Sequence, residues 1–264
     1  MPELPEVETV VRSIALLIGR RIVSAEFRGL RVLRGGDPDR LAANLAGRRI
    51  AAIRRYGKFI VISMEGGGYL LIHLGMTGRL LLGGDAGKHT HAIFNLDEGV
   101  LLYDDSRQFG SIQWFEEFPD RVARLGPEPL EASFADFARS LKKHRTRVKA
   151  LLLNQRFLRG IGNIYADEAL FRAGIHPLAT ASRIGGVRPR RLFDAIHAVL
   201  TEAIAAGGSS ISDYVDAQGR RGFFQFGHRV YQRTGEPCLT CGTPIRRLLV
   251  AQRSSHYCPR CQRR

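Results

Sequence analysis

The sequence predicts an α+β multidomain protein: an N-terminal helix with an antiparallel β-sandwich, a helical second domain, and a small C-terminal metal-binding hairpin. Three observations carry that prediction. The apolar period switches from helical to alternating after residue 18, it turns helical again beyond a Gly-Pro-Glu-Pro break at 126–129, and the chain closes on two C-x-x-C pairs.

The first element spans 5–18, where Val7, Val10, Val11, Ile14 and Leu17 recur at helical spacing behind a start crowded with Pro2, Glu3, Pro5 and Glu6. Short β-branched runs follow at 21–26, 49–56, 59–63, 69–74, 92–96 and 100–103, punctuated by Gly66-Gly67-Gly68, Gly83-Gly84 and Asp97-Glu98-Gly99. Helices are expected at 134–141, 146–153, 164–173 and 189–206. A Gly/Ser/Arg-rich stretch at 207–222 is long and polar for a passive turn, and loops of that kind carry function. The expected domains are 1–128, 131–226 with a functional loop at 207–224, and 229–264.

The four cysteines stand as Cys238-x2-Cys241 and Cys258-x2-Cys261, sixteen residues apart, and the chain has no others. Each C-x-x-C turn presents two thiolates to one side, which suits a single tetrahedral zinc ion. Unliganded reduced thiols are the alternative, but a segment this poor in apolar residues needs a staple to fold.

The chain carries +15, and from Arg220 onward ten arginines face a single acid, Glu236. That balance points to a polyanion, with arginine forks suited to phosphate; a merely solvated surface is the plainer reading. No run approaches the roughly 20 apolar residues that span a bilayer. The acidic start at Glu3, Glu6 and Glu8 is unlike a signal peptide. A cytoplasmic protein with reduced cysteines is expected.

Two local features could carry chemistry. Gly160-Ile161-Gly162-Asn163 opens a helix, where backbone amides can grip a phosphate, although glycine also serves tight helix packing. Removal of Met1 leaves the secondary amine of Pro2, with a pKa near about 8 before any helix-dipole effect, as a nucleophile able to form an iminium. Glu3 beside it can move a proton. The same residues also serve simply as a helix start.

Four separate motifs then converge. Met1-Pro2-Glu3-Leu4-Pro5-Glu6-Val7-Glu8-Thr9, His73-Leu74-Gly75-Met76-Thr77-Gly78, Gly160 through Glu168, and the four-cysteine finger occur in an order and at separations that resemble bacterial formamidopyrimidine-DNA glycosylases over the whole chain.

The resemblance implies a helix-two-turn-helix second domain and a β-hairpin zinc finger. It implies a bifunctional glycosylase and abasic-site lyase that excises oxidised purines such as 8-oxoguanine and formamidopyrimidines from double-stranded DNA, then cuts by β,δ-elimination. Pro2 is the implied nucleophile and Glu3 the group that protonates the opening sugar. Lys58 is the implied proton donor in β-elimination; Arg253 binds lesion phosphates and assists δ-elimination. Met76, Arg107 and Phe109 are implied to fill the space left by the extruded nucleotide, as a wedge and a donor to the orphaned cytosine require. His89, Arg145, Lys149 and Asn163 are implied phosphate contacts. Glu6, Glu168, Ser209 and Ser210 are implied to line the lesion pocket beneath the loop 207–224.

Where the family often has two successive arginines before the phenylalanine, this chain has Arg107 then Gln108, which bears on opposite-base preference. The competing readings are an endonuclease VIII-like enzyme for oxidised pyrimidines, disfavoured by the presence of the loop, and a non-catalytic zinc-finger protein that binds damaged DNA. A monomer is expected, because a clamp around DNA needs its cleft free.

Overall fold

The computed structural model describes residues 1–29, 31–211 and 213–264; Ser212, within the predicted loop 207–224, falls outside them. The described chain divides into two compact units, Met1–Arg124 with Ala206–Phe223, and Leu125–Ala205 with Phe224–Arg264.

The first unit opens with helix α1, Leu4–Ile14, then a 3-10 turn at Ala15–Leu17. The α-helix is therefore shorter than the predicted 5–18. The tighter turn buries Leu17 while leaving Leu16 in solvent, and Gly19 at φ +88° then redirects the chain into the sheet. Strand β1 (Ile22–Phe27) pairs in the order β1-β6-β7-β5 with β5 (Arg79–Leu82), β6 (Thr90–Leu96) and β7 (Val100–Asp104). The second sheet has the order β2-β3-β4-β8, from β2 (Ile50–Tyr56), β3 (Phe59–Met64), β4 (Tyr69–His73) and β8 (Ser111–Phe115). All pairs are antiparallel.

One core joins the sheets: Ile53, Ile60, Ile62, Leu70, Ile72 and Ile112 from one meet Ile22, Phe94, Leu101 and Tyr103 from the other, and Val7, Val10 and Ile14 of α1 close it. Helices α2 (Pro38–Leu45) and α3 (Asp120–Ala123) complete the unit, α2 capped by the Asp37 carboxylate accepting from Asp39 N and Arg40 N.

The stretch Ala206–Phe223 belongs to this unit and not to the helices that precede it in sequence. Tyr214 Oη donates to Glu6 O at 3.2 Å, Ala217 N donates to Ser13 Oγ at 3.2 Å, and both residues join the sandwich core.

The second unit holds α4 (Phe134–Lys143), α5 (Val148–Leu153), α6 (Asn163–Arg172) and α7 (Arg188–Ala205), followed by the hairpin β9 (Arg246–Val250) and β10 (Arg253–Tyr257). Ser133 caps α4 by accepting from Asp136 N. Among the described residues no helix is long and apolar enough to cross a membrane.

Candidate catalytic and nucleic-acid site

In the first unit the chain start is tightly organised. Met1 is exposed, whereas Pro2 is buried. Glu3 and Glu6 form a reciprocal capping box on α1, in which Glu3 N donates to Glu6 Oε2 at 2.8 Å. The other oxygen, Glu6 Oε1, accepts from Ser209 N at 2.7 Å. One carboxylate thus ties the residue after Pro2 to the loop predicted at 207–224. Within that loop Ser210 Oγ donates to Tyr214 O and accepts from Gly222 N, both at 2.8 Å. Ser209 and Ser210 are consequently buried, and their polar atoms shape the loop.

Lys58 sits in the two-residue turn between β2 and β3 behind Gly57, whose φ of +61° is what the first position of a tight hairpin turn demands. It is 9% exposed, not the free surface group that a turn lysine suggests. Its charge is felt by His73 at the end of β4. Burial first, then Lys58, Arg121 and Arg34, push that imidazole down to about 4. His73 Nδ1 accepts from Gly75 N at 3.1 Å, so the neutral ring carries its proton on Nε2. In the sequence this histidine is only part of a motif; its place as a neutral ring within the field of Lys58 becomes visible once β3 and β4 pair Phe59 with His73.

Depressed protonation has a consequence for stability. Unfolded His73 takes up a proton below its ordinary value of 6.5, while the folded ring stays neutral down to about 4. Stability therefore falls as pH drops through that window, by up to about 3 kcal/mol for this group. Denaturant unfolding of His73→Gln from pH 7 to pH 4 should show a shallower decline than the unaltered chain; identical slopes would contradict the assignment.

Met76 and Phe109 are apolar yet 42% and 50% exposed, and the Arg107 guanidinium lies 4.7 Å from the Phe109 ring. Core placement, the ordinary fate of a methionine and a phenylalanine, is thus excluded for both. Gln108, next to Phe109, adopts φ +53°. His89 is exposed in the turn before β6.

In the second unit Asn163 starts α6, and its buried Oδ1 finds no hydrogen-bond partner among the described residues. Gln155 shapes the turn before it, accepting from Gly160 N at 2.8 Å and donating to Ile161 O at 2.9 Å. That clamp fixes the turn that leads into α6. Arg145 is exposed in the connection from α4 to α5.

Two of the implied residues meet protein partners. Lys149, expected at a phosphate, is fully buried, paired to Asp167 Oδ1 at 2.6 Å and donating to Ser254 O at 2.8 Å. The ammonium thereby secures β10 beside Arg253. Glu168, expected as a pocket carboxylate, accepts from the backbone N–H groups of Arg229, Val230 and Tyr231 at 2.9, 3.0 and 2.9 Å. Burial pushes its pKa up against the pull of those three donors. It anchors the approach to the finger.

Arg253 itself is exposed at the start of β10, paired in register with Val250. The connecting residues Ala251 and Gln252 both take left-handed backbone, φ +47° and +59°, unfavourable for non-glycine residues. Strain of that kind at a tight turn is typical of a functional position.

The four cysteine sulfurs all lie within 4.8 Å of one another, with Cys238–Cys261 at 3.9 Å and Cys241–Cys258 at 3.4 Å. A ZnS4 tetrahedron with bonds of about 2.3 Å has edges of about 3.8 Å, so the cluster fits the ion.

Known protein families match the chain in three consecutive segments. The formamidopyrimidine-DNA glycosylase N-terminal domain matches residues 1–112, the formamidopyrimidine-DNA glycosylase H2TH domain 125–215, and the zinc finger found in FPG and IleRS 235–264. The formamidopyrimidine-DNA glycosylase of Solibacter usitatus is 73% identical over the full length of both chains. The MutM (FPG) protein of Thermus thermophilus superposes with a TM-score of 0.89 at 42% identity, covering 99% of this chain and 98% of that one. A Lactococcus lactis FPG mutant, solved in complex with a Fapy-dG containing DNA, gives a TM-score of 0.91 at 35% identity over the whole of both chains. The helical unit is accordingly a helix-two-turn-helix domain, and the cysteine cluster holds one structural zinc ion. By its matched domains and its full-length relatives, the chain belongs to the formamidopyrimidine-DNA glycosylase family.

Proposed function

We propose that the mature chain, once Met1 is removed, excises oxidised purines from double-stranded DNA through its Pro2 amine. The chain is a DNA glycosylase of base excision repair by family membership. The Pro2 nitrogen attacks C1′ of the everted nucleotide, the bond from C1′ to the damaged base breaks, and the base leaves with its electron pair and a proton. Glu3 protonates the ring oxygen as the sugar opens, leaving an iminium between Pro2 and C1′. Loss of a 2′ proton then expels the 3′ phosphate, and a second elimination expels the 5′ phosphate. Lys58 supplies a proton in the first elimination, and Arg253 grips the lesion phosphates and assists the second.

The observation that carries this reading is the Glu6 carboxylate, which accepts from Glu3 N and Ser209 N at once and so joins the nucleophile's segment to the lesion loop. Met76, Arg107 and Phe109 fill the vacated space. His89, Arg145 and Asn163 hold phosphates, and a neutral His73 donates through Nε2 to another. Such a protein works as a monomer on damaged or abasic duplexes in the cytoplasm, at the nucleoid.

Lesion class tests the reading. Single-turnover excision should favour 8-oxoguanine opposite cytosine over thymine glycol by at least about tenfold, a discrimination that one well-placed set of pocket contacts supplies. Preference for thymine glycol would transfer the chain to the endonuclease VIII-like alternative.

A further inference from the structure

We propose that Asp105 is a positioning residue for base eversion: its carboxylate locks the turn 105–110 to the turn 74–78 and so presents Met76, Arg107 and Phe109 as one preassembled wedge. The inference rests on the reading that those three side chains fill the vacated space.

Asp105 is fully buried just beyond β7, yet four donors converge on its two oxygens. Oδ1 accepts from Thr77 Oγ1 at 2.5 Å and from Arg107 N at 3.3 Å. Oδ2 accepts from Gly110 N at 2.8 Å and from Tyr103 Oη at 3.3 Å. Thr77 follows Met76, Gly110 follows Phe109, and Arg107 is bound directly, so each wedge residue is tied to the same group within one peptide. Thr77 Oγ1 also accepts from Arg107 N at 3.2 Å, closing the ring between the two turns. The hub is itself anchored: Asp105 N donates to His89 O at 2.9 Å, and His91 Nε2 lies 3.0 Å from Asp105 O.

The surrounding backbone is built around this link. A Cβ at Gly75 would run into the backbone of Phe109 and Gly110, and one at Gly110 into the Tyr103 hydroxyl and His73 O. Only glycine allows the two turns to approach so closely. Gln108 is held at φ +53° between two wedge residues, a conformation that persists only when its surroundings over-determine it. A buried carboxylate is unfavourable unless its acceptors are filled, and here the filling defines one loop geometry.

Asparagine cannot stand in for this aspartate, although it is the same size. Whichever way its amide is turned, the NH2 faces a backbone N–H, that of Arg107 or that of Gly110, and one turn is released. Asp105→Asn is therefore expected to loosen the wedge while leaving its three side chains intact. Thr77→Val, which removes the bridge without changing volume, should act in the same direction.

The test uses the zinc-loaded full chain. For Asp105→Asn, excision of 8-oxoguanine from duplex DNA should fall about 100-fold, as expected for a reacting centre misplaced by about an ångström. Cleavage of a single strand carrying a preformed abasic site, which requires no eversion, should change by less than about threefold on the same argument. Discrimination between cytosine and adenine opposite the lesion should weaken together with duplex excision, and Thr77→Val should reproduce the pattern. Equal losses on the two substrates would show general structural damage and overturn the proposal, as would unchanged duplex excision. A variant with Met76, Arg107 and Phe109 all replaced by alanine separates the two levels. If it shows the duplex-specific loss and Asp105→Asn does not, the hub fails alone; if it does not, the void-filling reading fails and the hub falls with it.

Discussion

A chain that keeps Met1 should form no covalent intermediate with damaged DNA. Met1 acylates the Pro2 nitrogen, and an amide nitrogen has its lone pair delocalised into the carbonyl. It cannot attack C1′, and no iminium can form through a tertiary amide. Loss of covalent catalysis at the only step that attaches enzyme to sugar should reduce excision by about 1,000-fold or more. Met1 is exposed while Pro2 is buried behind it, so trimming is compatible with a folded N-terminus. Expressing the chain with and without methionine removal, confirming each by intact mass and comparing excision rates, checks this. Equal rates would place the nucleophile elsewhere.

Stripping the zinc should have an effect of similar rank on DNA binding. The hairpin's own core contains Val230, Cys238, Ile245 and Cys258, so two of its four buried members are metal ligands. Little apolar surface remains to hold the fold once the ion is gone, and binding free energy in such modules is folding free energy. Arg253 then loses the strained turn that presents it. An uncompensated loss of an arginine–phosphate pair costs about 2 to 5 kcal/mol, so affinity for a lesion duplex should drop on the order of 100-fold in Cys258→Ser or in chelated protein. Readdition of zinc should restore the chelated chain but not the variant. Undiminished binding by protein shown to be metal-free would contradict a structural role for the ion.

Elements with strong local periodicity are legible in the sequence, and those defined by distant partners are not. β2 and β3 read clearly because β-branched residues repeat on both sides of Gly57. β5 and β8 carry no comparable pattern: β5 is a four-residue edge strand beside Gly83-Gly84, and β8 is an edge strand whose Gln113 and Trp114 break any simple alternation. α2 does carry a signal, an Asp37 cap with Pro38 in the first turn and Leu41 and Leu45 four apart. The finger's ligands are readable because C-x-x-C spacing is itself the geometry. Lys149 is not, since its partner Asp167 is eighteen positions away and no local pattern reveals a buried pair. Asp105 is hidden for the same reason. Its importance lies in acceptors filled by Thr77 and Gly110, which only the pairing of β5 with β7 and the close approach at Gly75 bring to it.

Whether Pro2 bonds to the sugar of an oxidised purine nucleotide is read directly by borohydride trapping. A duplex with 8-oxoguanine opposite cytosine should give a covalent adduct that peptide mass mapping places on Pro2, while an undamaged duplex gives none. An adduct mapped to a lysine would contradict the Pro2 nucleophile. No adduct at all, from zinc-loaded protein that begins at Pro2, would contradict covalent catalysis and favour a protein that binds damaged DNA without acting on it.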